Sequence, residues 1–302
     1  MNYSYYPGCS LHSTGIEYGL STRAVFEHLG LGLNELDDWN CCGASSAHTL
    51  HPTLAVALPA RTLSQAQAFD RDLVIPCAAC YNRLKGADHA LRTDAGIRSQ
   101  MESMLGFQYA GSVAVRSVLS VLAEDVGVKR ISEETSHPLY GLKVVTYYGC
   151  LLLRPPEITQ FDDPDDPQVM GSLMRAIGVE VMPWSHATDC CGGSLSLSRS
   201  DVVQNLVGKL TERAREAGAD AIVTACPLCQ VNIEMRQMSA PKMPTFYFTE
   251  LLGLAFGLPE ADKWFRKHLI DPRPMLKRSR RSLTPTDTLE NVSYAMPEKM
   301  YD

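Results

Sequence analysis

The 302-residue chain contains no apolar run approaching the roughly 18 residues that a membrane-spanning helix requires. Basic residues are not in excess. The 28 Lys and Arg against 34 Asp and Glu leave a net charge of −6, which argues against general nucleic-acid binding, a function that rests on a basic footprint. The opening Met1–Tyr6 stretch has no basic segment followed by an apolar one, so no secretory leader is read there and a cytoplasmic location without direct membrane insertion is expected. No GxGxxG follows a strand-like run, so nothing supports independent flavin or dinucleotide binding. Cysteine, at ten residues, is too sparse for a disulfide scaffold. With 45% hydrophobic and 21% charged residues the composition is that of a soluble globular protein, long enough for one large domain or two ordinary ones.

The ten cysteines fall into two sets of five. The first is Cys9-x31-Cys41-Cys42-Gly43-x33-Cys77-x2-Cys80, and the second is Cys150-x39-Cys190-Cys191-Gly192-x33-Cys226-x2-Cys229. From the adjacent pair onward each cysteine recurs 149 residues later. Neighbouring text repeats as well: Tyr6-Pro7-Gly8-Cys9 with Tyr147-Tyr148-Gly149-Cys150, and Ile75-Pro76-Cys77-Ala78-Ala79-Cys80 with Thr224-Ala225-Cys226-Pro227-Leu228-Cys229. All ten cysteines are used, which marks a tandem duplication.

Each half carries the same expected layout. A strand (Tyr3–Tyr6, Val144–Tyr148) ends near the first cysteine. A helix follows, with apolar residues at Leu20, Val25 and Leu29 or at Val169, Leu173 and Ile177, stopped at Gly30 or Gly178. A second strand (Leu33–Leu36, Val179–Met182) leads to the Cys-Cys-Gly. A helix (Pro59–Phe69, Asp201–Ala217) and a third strand (Leu73–Ile75, Ala221–Thr224) then run into the CxxC. The stretch 85–111 reads as extra, mixed helical sequence, and Val113–Leu122 and Thr249–Phe256 as closing helices. Alternation of strand and helix predicts an α/β fold with a small parallel sheet flanked by helices in each half. Domain limits of 1–141 and 142–260 are expected, followed by an irregular tail over 261–302. The basic run Lys277-Arg278-Ser279-Arg280-Arg281 reads as solvated surface, with docking to an acidic partner as the alternative.

Ligands in parallel sheets gather beyond the carboxyl ends of the strands. All three cysteine groups of each half lie there, so sequence-distant thiolates can converge at one sheet edge. Helix N-termini at the CxxC add positive potential and N–H donors. Clustered thiolates suit zinc, Cu(I) or iron–sulfur groups. Five per half is one more than zinc or a cubane 4Fe–4S cluster needs, and ferredoxin spacing is absent. Adjacent cysteines fit a multinuclear cluster better than a single tetrahedral ion. Zinc in one or both halves and thioredoxin-like dithiol chemistry at the CxxC are the alternatives.

The Cys-x31–39-Cys-Cys-Gly-x33-Cys-x2-Cys pattern, twice over residues 1 to about 260, resembles the CCG cysteine-rich domain. Two tandem copies resemble the B subunit of heterodisulfide reductase, with Tyr5–His12 and Trp39–Ser46 closest in wording to bacterial members. The resemblance implies two noncubane 4Fe–4S clusters, one held by Cys9, Cys41, Cys42, Cys77 and Cys80 and the other by Cys150, Cys190, Cys191, Cys226 and Cys229. It implies a disulfide or thiol substrate between them. It also implies two further subunits as partners, one ferredoxin-like with 4Fe–4S clusters and one flavin-containing. One-electron cleavage of a disulfide between paired clusters would follow, or thiol oxidation in reverse. The alternative is an electron-relay or metal-binding subunit of another CCG complex, of the fumarate reductase, lactate or glycolate oxidation, or acyl-CoA type. Gly8, Gly43, Gly149, Gly192 and Gly193 adjoin ligands and are expected to admit a bulky group. His12, His48 and His186, Trp39 and Trp184 read as structural or surface residues. Arg23, Arg61, Arg83 and Arg154 are candidates for an anionic substrate because they neighbour the cysteine loops.

Overall fold

The computed structural model describes residues 1–44 and 47–281, with side chains described to residue 278. It contains two four-stranded sheets, every strand pair parallel. In the first half the strands are β1 (Asn2–Tyr5), β2 (Gly32–Glu35), β3 (Leu73–Ile75) and β4 (Val115–Ser117), in the order β2-β1-β3-β4. In the second they are β5 (Lys143–Tyr147), β6 (Glu180–Val181), β7 (Ala221–Thr224) and β8 (Thr245–Tyr247), in the order β6-β5-β7-β8. The strand order reverses between the first and third strand of each half. That is the switch point at which helices leave opposite faces of a doubly wound sheet and a crevice opens. The central strands β3 and β7 are buried throughout, as parallel strands covered on both faces must be.

Helices connect the strands as the repeat predicts: Ile16–His28, Pro52–Gln67 and Ala78–Thr93 in the first half, and Val169–Ala176, Ser200–Glu216 and Pro227–Arg236 in the second. Gly30 (φ 70°) and Gly178 (φ 84°) follow the first helix of each half in the left-handed conformation that ends it. The expected helix Pro59–Phe69 begins earlier, at Pro52, a proline accommodated in the first turn. Leu20 is 41% exposed, so Tyr18, Val25 and Phe26 carry the buried face of that helix.

Two expectations fail. The segment Val113–Leu122, read as a closing helix, contains a fourth strand, β4, and turns helical only at Val118–Val121, whereas the closing helix expected at Thr249–Phe256 is present as Phe248–Ala255, preceded by an unexpected strand, β8. Three-residue strands without polar alternation give no period that separates them from a helix start. The tail is not irregular up to residue 281, since Ala261–Phe265 and Arg273–Arg281 are helical. Trp264, Phe265 and Met275 are buried, and the helix Ala261–Phe265 packs on both Ile16–His28 of the first half and Phe248–Ala255 of the second. His268 seals the attachment: its Nδ1 lies 3.2 Å from Glu234 and its Nε2 2.9 Å from Glu250, all three side chains being solvent-excluded. Glu234 also accepts the backbone N–H groups of Leu269 and Ile270. The basic run Lys277–Arg281 lies on the last helix, and the rest of the expected tail lies outside the described residues.

The halves share one hydrophobic core. The helix Ile16–His28 of the first half packs on Phe248–Ala255 of the second. Tyr18 stacks on Tyr247 with ring centroids 4.3 Å apart and planes 3° from parallel, and Ser21 bonds Thr249 at 2.7 Å. On the other side, Tyr81 donates to the Thr159 carbonyl, and Asn82 Nδ2 donates to the carbonyls of Leu151 and Arg154. The two sheet edges that bear cysteines are thereby held face to face.

Candidate metal centre

Each cysteine group follows a strand, and the strands position the sulfurs. β1 and β5 deliver Cys9 and Cys150. The loops after β2 and β6 deliver the adjacent pairs. β3 and β7 run into Cys77 and Cys226, which cap the helices bearing Cys80 and Cys229. Sγ–Sγ separations are 3.9 Å for Cys9–Cys41 and 3.2 Å for Cys42–Cys80. Their counterparts are 3.8 Å for Cys150–Cys190 and 3.6 Å for Cys191–Cys229. All five thiols of each half are therefore brought together, and none is in a disulfide. Cys77 and Cys226 interact side chain to side chain across the seam, joining the two sets through the first cysteines of the CxxC motifs.

The sites are open on one side only. Cys9, Cys41 and Cys190 are exposed and Cys150 is half-buried, whereas the CxxC thiols, Cys42 and Cys191 are buried. The Cys41 thiol is held far below the ordinary thiol range by the hydrogen bond from Cys42, with Cys9 and the Gly43 N–H adding to it. Cys190 is lowered to about 6, chiefly by the hydrogen bond from Cys150, with the Gly192 N–H contributing at 3.3 Å. The same outer pairs push Cys9 and Cys150 up. A thiolate accepting backbone N–H donors at the mouth of each site is the protonation pattern a metal ligand needs.

The local sequence builds this geometry. Tyr6 Oη donates to the Asn40 carbonyl at 2.8 Å, and its repeat partner Tyr147 donates to the Asp189 carbonyl at 2.6 Å. Each phenol ties the end of the first strand to the residue just before the Cys-Cys pair. Gly8 (φ 73°) and Gly149 (φ 65°) adopt the left-handed conformation, and a Cβ there would sit 2.9 Å from Cys80 Sγ or 3.2 Å from Cys229 Sγ. Tyr18 Oη reaches the carbonyls of both Pro76 and Ala225, the residues immediately before Cys77 and Cys226. Nothing in the sequence near residue 18 signals that role, which depends on how the halves meet.

The remaining candidates separate on contact. His12 lies 3.4 Å from Glu35 and beside Trp39, and His186 sits 3.9 Å from Asp189 and beside Trp184. His48 Nδ1 is buried without a hydrogen-bond partner. Trp39 and Trp184 donate to Glu35 and the Thr146 carbonyl and pack on Tyr6 and Tyr147. Arg23, Arg61 and Arg154 are engaged by Glu35, Asp38 and Asp165. Arg83 is different: its Nε is buried and unbonded, burial pushes its guanidinium down, and Cys42 is the group that offsets part of that shift.

A cavity of about 90 Å³ opens beside the second set, bounded by Ala78, Ala79 and Ala44 of the first half and by Tyr148, Leu151 and the second-set thiols. Its wall is mostly apolar and drawn from both halves. A larger cleft of about 450 Å³ lies on another face, between the helix Ala78–Thr93 and residues 157–161, and no cysteine lines it.

The donor set fits a sulfur-bridged multi-iron group. Five soft donors per half are present where a single tetrahedral ion needs four. Among the described residues no three His, Cys, Asp or Glu side chains are arranged around a single ion. Close backbone approach by glycine leaves space against the sulfurs.

The model of the cysteine-rich CCG domain family matches residues 3–85 and 144–234. The chain belongs to the CCG cysteine-rich domain family. It is 30% identical over 279 residues to a Wolinella succinogenes protein named as the membrane anchor of an 8-methylmenaquinol:fumarate reductase, covering 89% of this chain and 97% of that one. It is 28% identical to an Archaeoglobus profundus protein named as similar to the B subunit of heterodisulfide reductase, over 85% of this chain and 91% of that one. It is 26% identical to the B subunit of the ferredoxin:CoB-CoM heterodisulfide reductase of Methanosarcina mazei, over 78% and 83%. A crystal structure of a hypothetical protein from Helicobacter pylori shares the fold, with a TM-score of 0.68 at 10% identity over 89% of this chain. The chain spans about half (52%) of that structure's length. Among the described residues no helix is long and apolar enough to cross a membrane.

Proposed function

We propose that this CCG chain is the sulfur-handling redox subunit of a heterodisulfide reductase-like complex, reducing a disulfide or, in reverse, oxidising thiols. The observation that supports this best is the meeting of two five-thiol sets through Cys77 and Cys226, with a small, mostly apolar cavity drawn from both halves beside the second set. Cys9, Cys41, Cys42, Cys77 and Cys80 would hold one noncubane 4Fe–4S cluster, and Cys150, Cys190, Cys191, Cys226 and Cys229 the other. Such clusters supply one-electron transfer and iron that binds sulfur.

The chain's own residues do the rest. Ala78, Ala79 and Leu151 keep water from the inner faces. Tyr6, Tyr147 and Tyr18 fix the loops that carry both sets. The N–H groups of Gly43 and Gly192 offset the anionic charge at the outer edges. Breaking an S–S bond to two thiols consumes two electrons and two protons. The electrons come from two partners, a ferredoxin-like subunit with 4Fe–4S clusters fed by a flavin-containing one. The protons enter from the open side at Cys9, Cys41, Cys150 and Cys190.

A second reading has support of its own. The Wolinella relative, matched over nearly its whole length, is named for a fumarate reductase. A relay subunit would pass electrons without touching sulfur substrates. Anaerobic turnover of the metallated protein with a one-electron dye donor and a low-molecular-weight disulfide separates the two. Thiol release matched to dye oxidation at one disulfide per two electrons supports the first reading. Reversible reduction of the protein with no thiol released favours the relay.

A further inference from the structure

The repeat aligns the helices that follow the two CxxC motifs residue for residue, and they differ in charge. In the first half Cys80-Tyr81-Asn82-Arg83-Leu84-Lys85 begins the helix; in the second the same positions read Cys229-Gln230-Val231-Asn232-Ile233-Glu234. Arg83 therefore stands where Asn232 stands, and Lys85 where Glu234 stands.

Their surroundings preserve the difference. Arg83 lies one turn beyond Cys80 on the helix Ala78–Thr93, has a buried, unbonded Nε, and is the electrostatic neighbour of Cys42. Asn232 is neutral and spent on structure, donating to the Cys191 carbonyl at 2.6 Å and accepting from Ser196 at 2.8 Å. Lys85 is half-buried and shares its cleft with Asp88 and Glu124, which offset part of its charge. Glu234 is buried with Glu250 against the single cation His268, so the second half has no cation at this helix position. At the rim, Asp189 replaces Asn40 beside the outer cysteine of the pair. Lys209 at 3.8 Å and His186 at 3.9 Å screen it, so the buried positions decide the balance.

Reduction adds negative charge, and a nearby cation in a low-dielectric setting stabilises the reduced form. Net charge around a cluster is among the levers that set its potential. We propose that the two metal sites of this chain are electrostatically unequal, with Arg83 holding the first-half site at the higher reduction potential, so that the first electron delivered settles there. Arg83 is a positioning residue in this account, acting through the field at the first set, while Lys85 lies in a cleft that no cysteine lines. The inference rests on the iron–sulfur reading above and adds an order of filling to it.

The test is an EPR-monitored redox titration of the anaerobically metallated full chain. The double variant Cys191→Ser/Cys229→Ser removes the second site and assigns the signals. The expected result is two potentials separated by at least a tenfold preference, 59 mV for one electron, with the first-half site the higher. Arg83→Asn should move that site toward the other, Arg83→Lys should largely restore it, and Lys85→Gln, which removes a cation from a cleft that no cysteine lines, should leave it in place. Full iron content with equal potentials, a higher second site, or a potential indifferent to Arg83→Asn would overturn this inference and leave the functional reading standing. A chain that binds no iron and sulfide would overturn both.

Discussion

Tyr6 and Tyr147 hold their loops by one hydrogen bond each, but the glycines two residues beyond them leave the least latitude. At Gly8 a side chain would need a left-handed backbone, costing roughly 1–2 kcal/mol for an L-residue, and its Cβ would press on Cys80 Sγ. Gly8→Val should therefore cost the protein about half its iron while leaving the fold intact by circular dichroism. Gly149→Val should do the same to the other half. Normal iron in both would show that the sulfurs have room to spare. A second residue-scale expectation concerns Glu17, buried and facing Glu250, Glu234 and His268. Burial raises its carboxyl from the ordinary 4.5 to about 7. The unfolded chain ionises first, so the contribution of Glu17 to stability is full below pH 4.5 and is lost as pH rises to about 7. Glu17→Gln should remove that loss, making the variant more stable than the parent at pH 8 by about 2–3 kcal/mol, as denaturant melts at pH 5 and pH 8 would read. An unchanged pH dependence would mean that Glu17 is not the group responsible.

Strands and helices were legible wherever they carried a signal of their own. The duplicated text located β1, β3, β5 and β7 to within a residue or so, because each runs into a cysteine at a fixed spacing. β4 and β8 were hidden, since three buried residues before a helix have no period. The docking of residues 261–281 was hidden for another reason. Its anchor is one histidine between two carboxylates from distant positions, and each looks like an ordinary surface charge in the sequence. Once paired in the interior, the three cannot be separated cheaply. Breaking a buried ion pair costs roughly 3–5 kcal/mol, so His268→Ala should lower stability by that order and expose the segment after Phe256 to limited proteolysis. Equal protease resistance would contradict the role given to this clasp. The seam between the halves depends on Gly15, where a Cβ would meet Pro227 Cβ at 2.8 Å. Gly15→Val should wedge the two CxxC loops apart, which calorimetry would detect as a lowered Tm.

At the scale of the molecule, the five-plus-five cysteine pattern announced both the duplication and the gathering of thiols at sheet edges. Spacing alone could not reveal that the two gatherings touch. That depends on the packing of Ile16–His28 against Phe248–Ala255 and on Tyr18, whose hydroxyl reaches the residues preceding both CxxC motifs. The arginines illustrate the same limit. Four look equivalent by sequence distance, yet three are engaged by carboxylates while Arg83 keeps a buried, unbonded Nε. Two thiol sets meeting at one seam, with a mostly apolar cavity beside the second, are the features on which the proposed pairing of two one-electron centres at one two-electron substrate rests. The most direct measurement is iron, acid-labile sulfide and zinc content of the anaerobically purified chain, followed by EPR on addition of thiol under mild oxidation. The account predicts about eight irons and eight sulfides per chain and a paramagnetic signal that appears only with thiol. Zinc without sulfide, at about one ion per half, would contradict it.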